Sequence, residues 1–194
     1  MKEFTLGYGI CGSFCTHAIS LGVLKSFTER ESYDIVPILS EAVCCTDTRF
    51  GKAADFRKKV EELCKKPAVC SIKDAEPLGP AKPLDLLVIA PCTGNTLAKI
   101  ASGITDTTVT MAAKAHLRSD RPLVIALASN DAMSANLSNI GTLLQRKNVY
   151  FVPMVQDDIR KKPHSLVADF TFVEAAVEAA LRGEQLRPLF LCKE

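Results

Sequence analysis

No apolar run in the chain approaches the ~20 residues a helix needs to cross a bilayer, and neither charge sign is in excess. Its 24 Lys and Arg against 22 Asp and Glu leave a formal charge of +2, which gives no reason to expect nucleic acid or an anionic membrane as a partner. No secretory leader is expected either, because the apolar stretch of MKEFTLGYGI runs straight into a glycine turn. A cytoplasmic chain is therefore expected. Cysteine is plentiful, yet Cys11, Cys15, Cys44, Cys45, Cys64, Cys70, Cys92 and Cys192 include no C-x-x-C pair, and Cys11 and Cys15 have no partner pair at zinc-site spacing. In a leaderless chain of this size they are expected as thiols, with neither disulfides nor a metal site.

What is present is ordinary for one globular domain spanning residues 1–194. Apolar residues make up 47% and charged residues 24%, and a chain of this length buries about 70% of its unfolded surface. Short β-rich runs alternate with longer helical patterns. Residues 4–10 read as a strand, and 14–29 as a helix with Ala18, Leu21, Leu24 and Phe27 on one side. Residues 33–39 (YDIVPIL) form a second strand, where Pro37 marks an edge or an irregular end. A charged helix over 51–65, a short strand over 68–72 and the proline-rich connection 76–83 follow. The clearest buried strand is 84–90 (LDLLVIA). Beyond it come one or two helices over 94–117 broken at Gly103, a strand at 123–128, a helix at 137–147 and a last strand at 149–152. A polar loop at 154–163 and a closing helix at 165–181 complete the chain. Such alternation indicates an α/β fold, a single doubly wound Rossmann-like or flavodoxin-like parallel sheet with helices on both faces. Ligands of such sheets bind beyond the carboxyl ends of the strands, which directs attention to residues 9–13, 40–51, 91–95 and 129–133.

The first of these turns contains Gly7-Tyr-Gly9-Ile-Cys-Gly12, formally G-x-G-x-x-G between a strand and a helix. A dinucleotide site also needs a carboxylate at the end of the second strand. Glu31 and Asp34 fall at its beginning, Glu41 comes late, and the strand end itself is Ser40. Hydroxyls at both strand ends, Ser13 and Ser40, suit a terminal phosphate monoester held with the help of a helix N-terminus. At the third strand end, Pro91, Cys92, Thr93, Asn95 and Thr96 form a small polar turn in which Thr93 supplies a helix cap and Asn95 can reach a polar ligand group.

The strings GxxGS and APCTGNTLAKIASGITD resemble the flavoprotein family of FMN-dependent cysteine decarboxylases and their relatives, whose turn P-A-(S/T)-A-N-(S/T) is followed by K-(I/L)-A-x-G-(I/L)-x-D. The resemblance covers residues 3 to about 155 and implies FMN as cofactor, bound by Gly9, Gly12, Ser13, Ser40, Pro91, Cys92, Thr93 and Ser129. It also implies that Asn95, Asn130 and Met133 contact substrate. Two departures speak against cysteine decarboxylation. The segment AVCCTDTRFGKAADF lacks the family's active-site histidine, the histidines being His17, His116 and His164. The clamp P-x-M-N-x-x-M-W is reduced to Asn130 and Met133, in a chain without any tryptophan.

TDTRFGKA (46–53), AEPLGPAKPLDLLVIAPCTGN (75–95) and NVYFVPMVQDDIRKKPHSLVADF (148–170) are more similar still to one branch of that family, the B subunits of dipicolinate synthases. That similarity runs nearly end to end. It implies a sporulation enzyme in the cytoplasm of the mother cell, in which a cyclic dihydro- or hydroxytetrahydro-dipicolinate precursor is oxidised. The partner it implies is an A subunit carrying NAD(P), and homo-oligomerisation is implied as well. A dianionic substrate needs fixed positive charge, and Arg49 on the loop after the second strand offers a bidentate fork. The same arginine can instead be solvated or paired with Glu41, Asp47 or Asp55. Asp106 is expected to cap the helix that follows it, and Cys92 to be a packing residue. Three functional readings stand at this point: an oxidoreductase subunit, a non-catalytic assembly subunit with a vestigial flavin site, and an independent FMN-dependent decarboxylase or prenyltransferase.

Overall fold

The strand runs assemble into one sheet in a computed structural model that describes residues 4–30 and 32–192; Glu31 lies outside the described residues. Four parallel strands form the centre, β1 (Phe4–Ile10), β2 (Tyr33–Leu39), β3 (Leu86–Thr93) and β4 (Leu123–Ser129), in the order β2-β1-β3-β4. Every residue of β4 is buried, and so is every residue of β3 before Thr93. This is the continuous apolar pattern that helices on both faces impose. The outer edge of β4 is shared. Its first residues pair in parallel with β5 (Val149–Phe151), while its last two pair antiparallel with β7 (Leu166–Ala168). On β7 are built β6 (Met154–Val155) and, parallel to β6, β8 (Phe190–Leu191).

The helices divide between two hydrophobic clusters. On one face lie α1 (His17–Glu29), α2 (Glu41–Cys45), α3 (Ala53–Cys64) and α8 (Val173–Leu181), contributing Leu24, Phe27, Val43, Val60 and Val177. On the other lie α4 (Ile72–Ala75), α5 (Gly94–Ser102), α6 (Thr108–Leu117) and α7 (Leu137–Leu144), contributing Leu97, Ile100, Val109, Ile140 and Leu143. The break between α5 and α6 falls at Gly103, a C-cap with φ +73° that favours glycine. The buried Tyr8 hydroxyl donates to the Ser20 carbonyl at 3.0 Å, and the Ser20 hydroxyl donates to Ala90 O, tying α1 to β1 and β3.

Several expectations need correction. The strand at 68–72 is reduced to a bridge between Val69 and Ile38, on the outer side of the edge strand β2. Pro37 sits there without loss, because its carbonyl accepts from Val69 N at 2.9 Å and its missing amide lies in an edge strand. The helix at 165–181 begins only at Val173, since 166–168 join the sheet and Phe170–Phe172 form a 3-10 turn. The strand at 149–152 is not the last, and residues 154–155 of the polar loop are β6. The residues after Ser40, read as a loop, include α2. Asp106 does not cap α6. Thr107 does so with a reciprocal capping box to Thr110, and Asp106 pairs with Lys99 at 2.8 Å.

Candidate functional site

From β1 the chain crosses to β2 on one side and returns to β3 on the other, so the strand order reverses between β1 and β3. The crevice beyond their carboxyl ends is the place for a ligand in such a sheet. After β1 the chain turns sharply. Cys11 N donates to Pro91 O at 3.1 Å, Ser13 N to Cys11 O at 2.9 Å, and Ser40 N to Ile10 O at 3.0 Å, drawing three strand ends together. Ser13 begins the 3-10 turn Phe14–Thr16 that leads into α1, and its hydroxyl makes no capping bond. The first amides of that turn have no acceptor within the helix. Ser40 Oγ is buried and has no hydrogen-bond partner among the described residues. A Cβ on Gly12 would meet nothing closer than 3.5 Å, whereas one on Gly9 would come within 3.3 Å of Ile89. Gly9 thus serves strand packing, and Gly12 leaves room at the turn.

The end of β3 is closed more tightly. Pro91 and Cys92 are buried, and the register against β4 shifts between Ile89 and Cys92, where proline offers no amide. Thr93 Oγ1 caps α5 by accepting from Thr96 N at 3.2 Å and donates to Thr96 Oγ1 at 3.0 Å, which in turn donates to Cys11 Sγ at 3.4 Å. Burial pushes the Cys11 thiol up to about 11 and holds Cys92 well above its usual range. Both are packing thiols rather than nucleophiles. Asn95, one residue into α5, is exposed.

At the end of β4, Ser129 donates to Asp131, and Asn136 Nδ2 donates to Asp131 Oδ1 at 3.0 Å. These bonds, the Ser129 hydroxyl foremost, hold the carboxyl below its ordinary range. A Cβ on Gly94 would lie 2.4 Å from Ser129 Oγ, 2.7 Å from Asn136 Nδ2 and 2.8 Å from Asp131 Oδ1. Gly94, Asp131 and Asn136 therefore lock β3 to β4, a role the sequence alone did not assign them. The available signal was Asp131 two residues past the strand beside a glycine at a helix start. Asn130 is exposed, and Met133 is half-buried with its amide donating to His164 O at 2.9 Å.

Beyond β2 the chain runs through a short turn in which Thr48 and Gly51 exchange backbone hydrogen bonds at 3.0 and 3.1 Å. Asp47 Oδ1 accepts from Ala53 N at 2.9 Å, and Glu41 is engaged by the amide and hydroxyl of Thr108, both at 2.8 Å. Arg49 has no carboxylate at ion-pair distance among the described residues, and its guanidinium lies over the Phe50 ring, 4.9 Å from the centroid. The loop borders a cavity of about 300 Å³ between α1 and α3, lined by none of Ser13, Ser40, Asn95, Asn130 or Met133. The structure thus gathers Ser13, Ser40 and 91–93 around one turn and leaves Arg49 beside a different hollow. Of the carboxylates near β2, Asp34 pairs with Lys66 at the strand's beginning, and Glu41, just past its end, is engaged by Thr108. His17 is engaged with Cys11 O at 2.8 Å, and His116 with Pro122 O at 2.8 Å. No cluster suited to a metal ion occurs among the described residues.

These features define an α/β protein of the flavodoxin-like kind, with a polar turn at its switch point. The chain belongs to the flavoprotein family, whose model matches residues 60–175, and is a homologue of the dipicolinate synthase B subunit. It is 41% identical over 191 residues to the dipicolinate synthase B subunit of Bacillus subtilis (strain 168), covering 98% of this chain and 95% of that one. The crystal structure of the dipicolinate synthase B subunit from Bacillus halodurans C superposes with a TM-score of 0.89 at 39% identity, covering all of both chains (100% and 100%). The FMN-dependent cysteine decarboxylase SpaF shares the fold, with a TM-score of 0.68 at 24% identity over 94% of this chain and 98% of its own. No helix among the described residues is long and apolar enough to cross a membrane.

Proposed function

We propose that residues 1–194 form one flavoprotein-like domain that acts as the B subunit of a dipicolinate synthase, in the cytoplasm of the mother cell. It would support NAD(P)-dependent oxidation of a dihydro- or hydroxytetrahydro-dipicolinate precursor, with the nicotinamide on an A subunit. Ser40 Oγ carries the FMN part of this reading, a buried hydroxyl without a partner among the described residues, at a strand end drawn against the turn in which the Phe14 and Cys15 amides have no acceptor within the helix. A phosphate monoester would satisfy both. The residues present therefore fit FMN, with Ser13, Ser40 and the first turn of α1 on the phosphate and Gly12, Pro91, Cys92, Thr93 and Ser129 around the rest. Bound there, the flavin would supply a two-electron redox centre or an electron sink. Asn95 and Asn130 would orient the substrate with Met133 as an apolar stop, while Arg49 would contact a carboxylate or the partner chain.

A second reading, a non-catalytic member of the same homo-oligomeric assembly, is favoured by one observation. The segment 42–56 contains no histidine, so the loop after β2 holds no imidazole for proton transfer. Titration with FMN, followed by flavin fluorescence with NAD as control, separates the two. Saturable binding that Ser13→Ala and Ser40→Ala weaken supports the flavin site. Absence of binding, with synthase activity restored by adding this chain to an A subunit, supports the assembly role.

A further inference from the structure

Two sulfurs from separate parts of the chain meet beside the edge strand. Val69 bridges Ile38 on the outer side of β2, and Leu39 N donates to Val69 O at 2.9 Å, which sets Cys70 level with the end of that strand. Helix α2 starts there too. Its N-cap is Ser40, whose carbonyl accepts from Cys44 N at 3.0 Å, and Cys44 Sγ lies 3.9 Å from Leu39 O. The Cys44 and Cys70 side chains are thereby brought into hydrogen-bonding contact, both half-buried against the same hydrophobic cluster. Neither is among the residues placed on the flavin, and neither lines the hollow between α1 and α3.

The two thiols are unlike. The hydrogen bond from Cys44 favours the Cys70 thiolate, and Arg57 of α3 adds positive charge, so Cys70 titrates below the usual thiol range against its burial and the charges of Glu61 and Glu41. Cys44 keeps its proton, because its bond to Cys70 and then its burial push it up, with the Cys70 and Cys45 sulfurs adding to both. A nucleophilic sulfur touching a protonated one is the arrangement in which a mixed disulfide is resolved within the molecule. Cys11 and Cys92 also influence one another, but both are buried and both are pushed up. That pair has neither a thiolate nor access.

We infer that Cys44 and Cys70 form a reversible dithiol–disulfide site that reacts with low-molecular-weight disulfides. The Cys70 thiolate attacks one sulfur of the small disulfide, whose S–S bond breaks and whose other half leaves as a thiolate. Cys44 Sγ then attacks Cys70 Sγ, forming the protein disulfide and expelling the second small thiolate. The two protein thiols give up two electrons and two protons, and the small disulfide takes up both to become two thiols. The new bond ties α2 to the segment after Val69, and side chains already in contact need little backbone movement to close it. The site stands whether or not flavin binds.

The full chain is equilibrated with graded mixtures of reduced and oxidised glutathione, quenched with an alkylating reagent and mapped by mass spectrometry of its peptides. A crosslink between Cys44 and Cys70 should appear as the oxidised fraction rises and vanish with dithiothreitol. Cys45→Ser and Cys15→Ser should leave it in place. In Cys44→Ser, glutathione should stay trapped on Cys70, whereas Cys70→Ser should capture little on Cys44. Arg57→Gln should slow iodoacetamide alkylation of Cys70 by about threefold near neutral pH and leave that of Cys192 unchanged. Alkylation rates in the unsubstituted chain check the same ranking without any variant, with Cys70 ahead of Cys44. The reverse ranking, no intramolecular crosslink at any ratio, or a crosslink from Cys70 that survives Cys44→Ser would each overturn the inference.

Discussion

Two strand ends of the same sheet, only one strand apart, are built on opposite principles. Where β3 meets β4, the polar groups answer one another: Thr93 with Thr96, Thr96 with Cys11, and Ser129 and Asn136 with Asp131. Gly94 is held there by lack of space. Where β2 ends beside the turn after β1, Ser40 Oγ is buried with nothing to bond among the described residues, the Ser13 hydroxyl caps nothing, and Arg49, Lys52 and Lys59 have no carboxylate partner among the described residues. A buried polar group without a partner costs about 1–3 kcal/mol, so the second end is the one whose energy a ligand can lower. The closed end is a frame and the open end is a receptor.

The sharpest way to break the comparison is at the frame. Gly94→Ala puts a methyl within 2.4–2.8 Å of three polar atoms and should cost about 2–3 kcal/mol by overpacking, read from urea denaturation midpoints. A change below about 0.5 kcal/mol, the level of an ordinary surface substitution, would mean the β4 turn is free to move.

Acid provides the next largest effect. His17 and His116 are both buried and held neutral chiefly by desolvation. The unfolded chain therefore takes up their protons first. Stability is fully present above pH ~6.5 and falls as pH drops below it, by at most ~1.4 kcal/mol per pH unit for each histidine. His116→Gln, which can still donate to Pro122 O, should flatten part of that slope. An unchanged denaturation midpoint between pH 7 and pH 5 would refute the burial argument for both.

Asp131→Ala comes third. It removes two accepted hydrogen bonds from an exposed carboxylate, so only about 1 kcal/mol is expected, with flavin affinity falling if the frame positions Thr93 and Asn95. Ser40→Ala should be the smallest in stability, near zero or slightly favourable, because its hydroxyl has no partner to lose. The comparison predicts that this quietest variant loses about tenfold in FMN affinity. A destabilised Ser40→Ala protein would show that the hydroxyl is satisfied within the fold.

Much of this architecture was written locally. Strands β1 and β2 fall where the apolar runs place them, the break at Gly103 follows from the need for a left-handed residue at a helix end, and Thr93 caps as its side-chain chemistry dictates. The misreadings have one source. Residues 166–168 lie within a helical apolar spacing but pair with β4 and β6, because β5 covers only Leu123–Ile125 and leaves the outer edge of β4 open beyond them. Val69 forms a single bridge rather than a strand because the chain must then leave the sheet edge to place α4 on the opposite face.

The sequence by itself determined the alternation, the parallel centre of the sheet, the turn at its switch point and the family. Each of these is a matter of neighbouring residues, periodicity and turn chemistry. Only the tertiary structure decided which polar groups find partners. That Asp131 and Gly94 meet, that Ser40 Oγ meets nothing, and that Lys52 and Lys59 stay unpaired beside an aromatic hollow all depend on residues distant along the chain. Hydrogen bonds and ion pairs act over a few ångströms in space, and separation along the chain does not encode that distance.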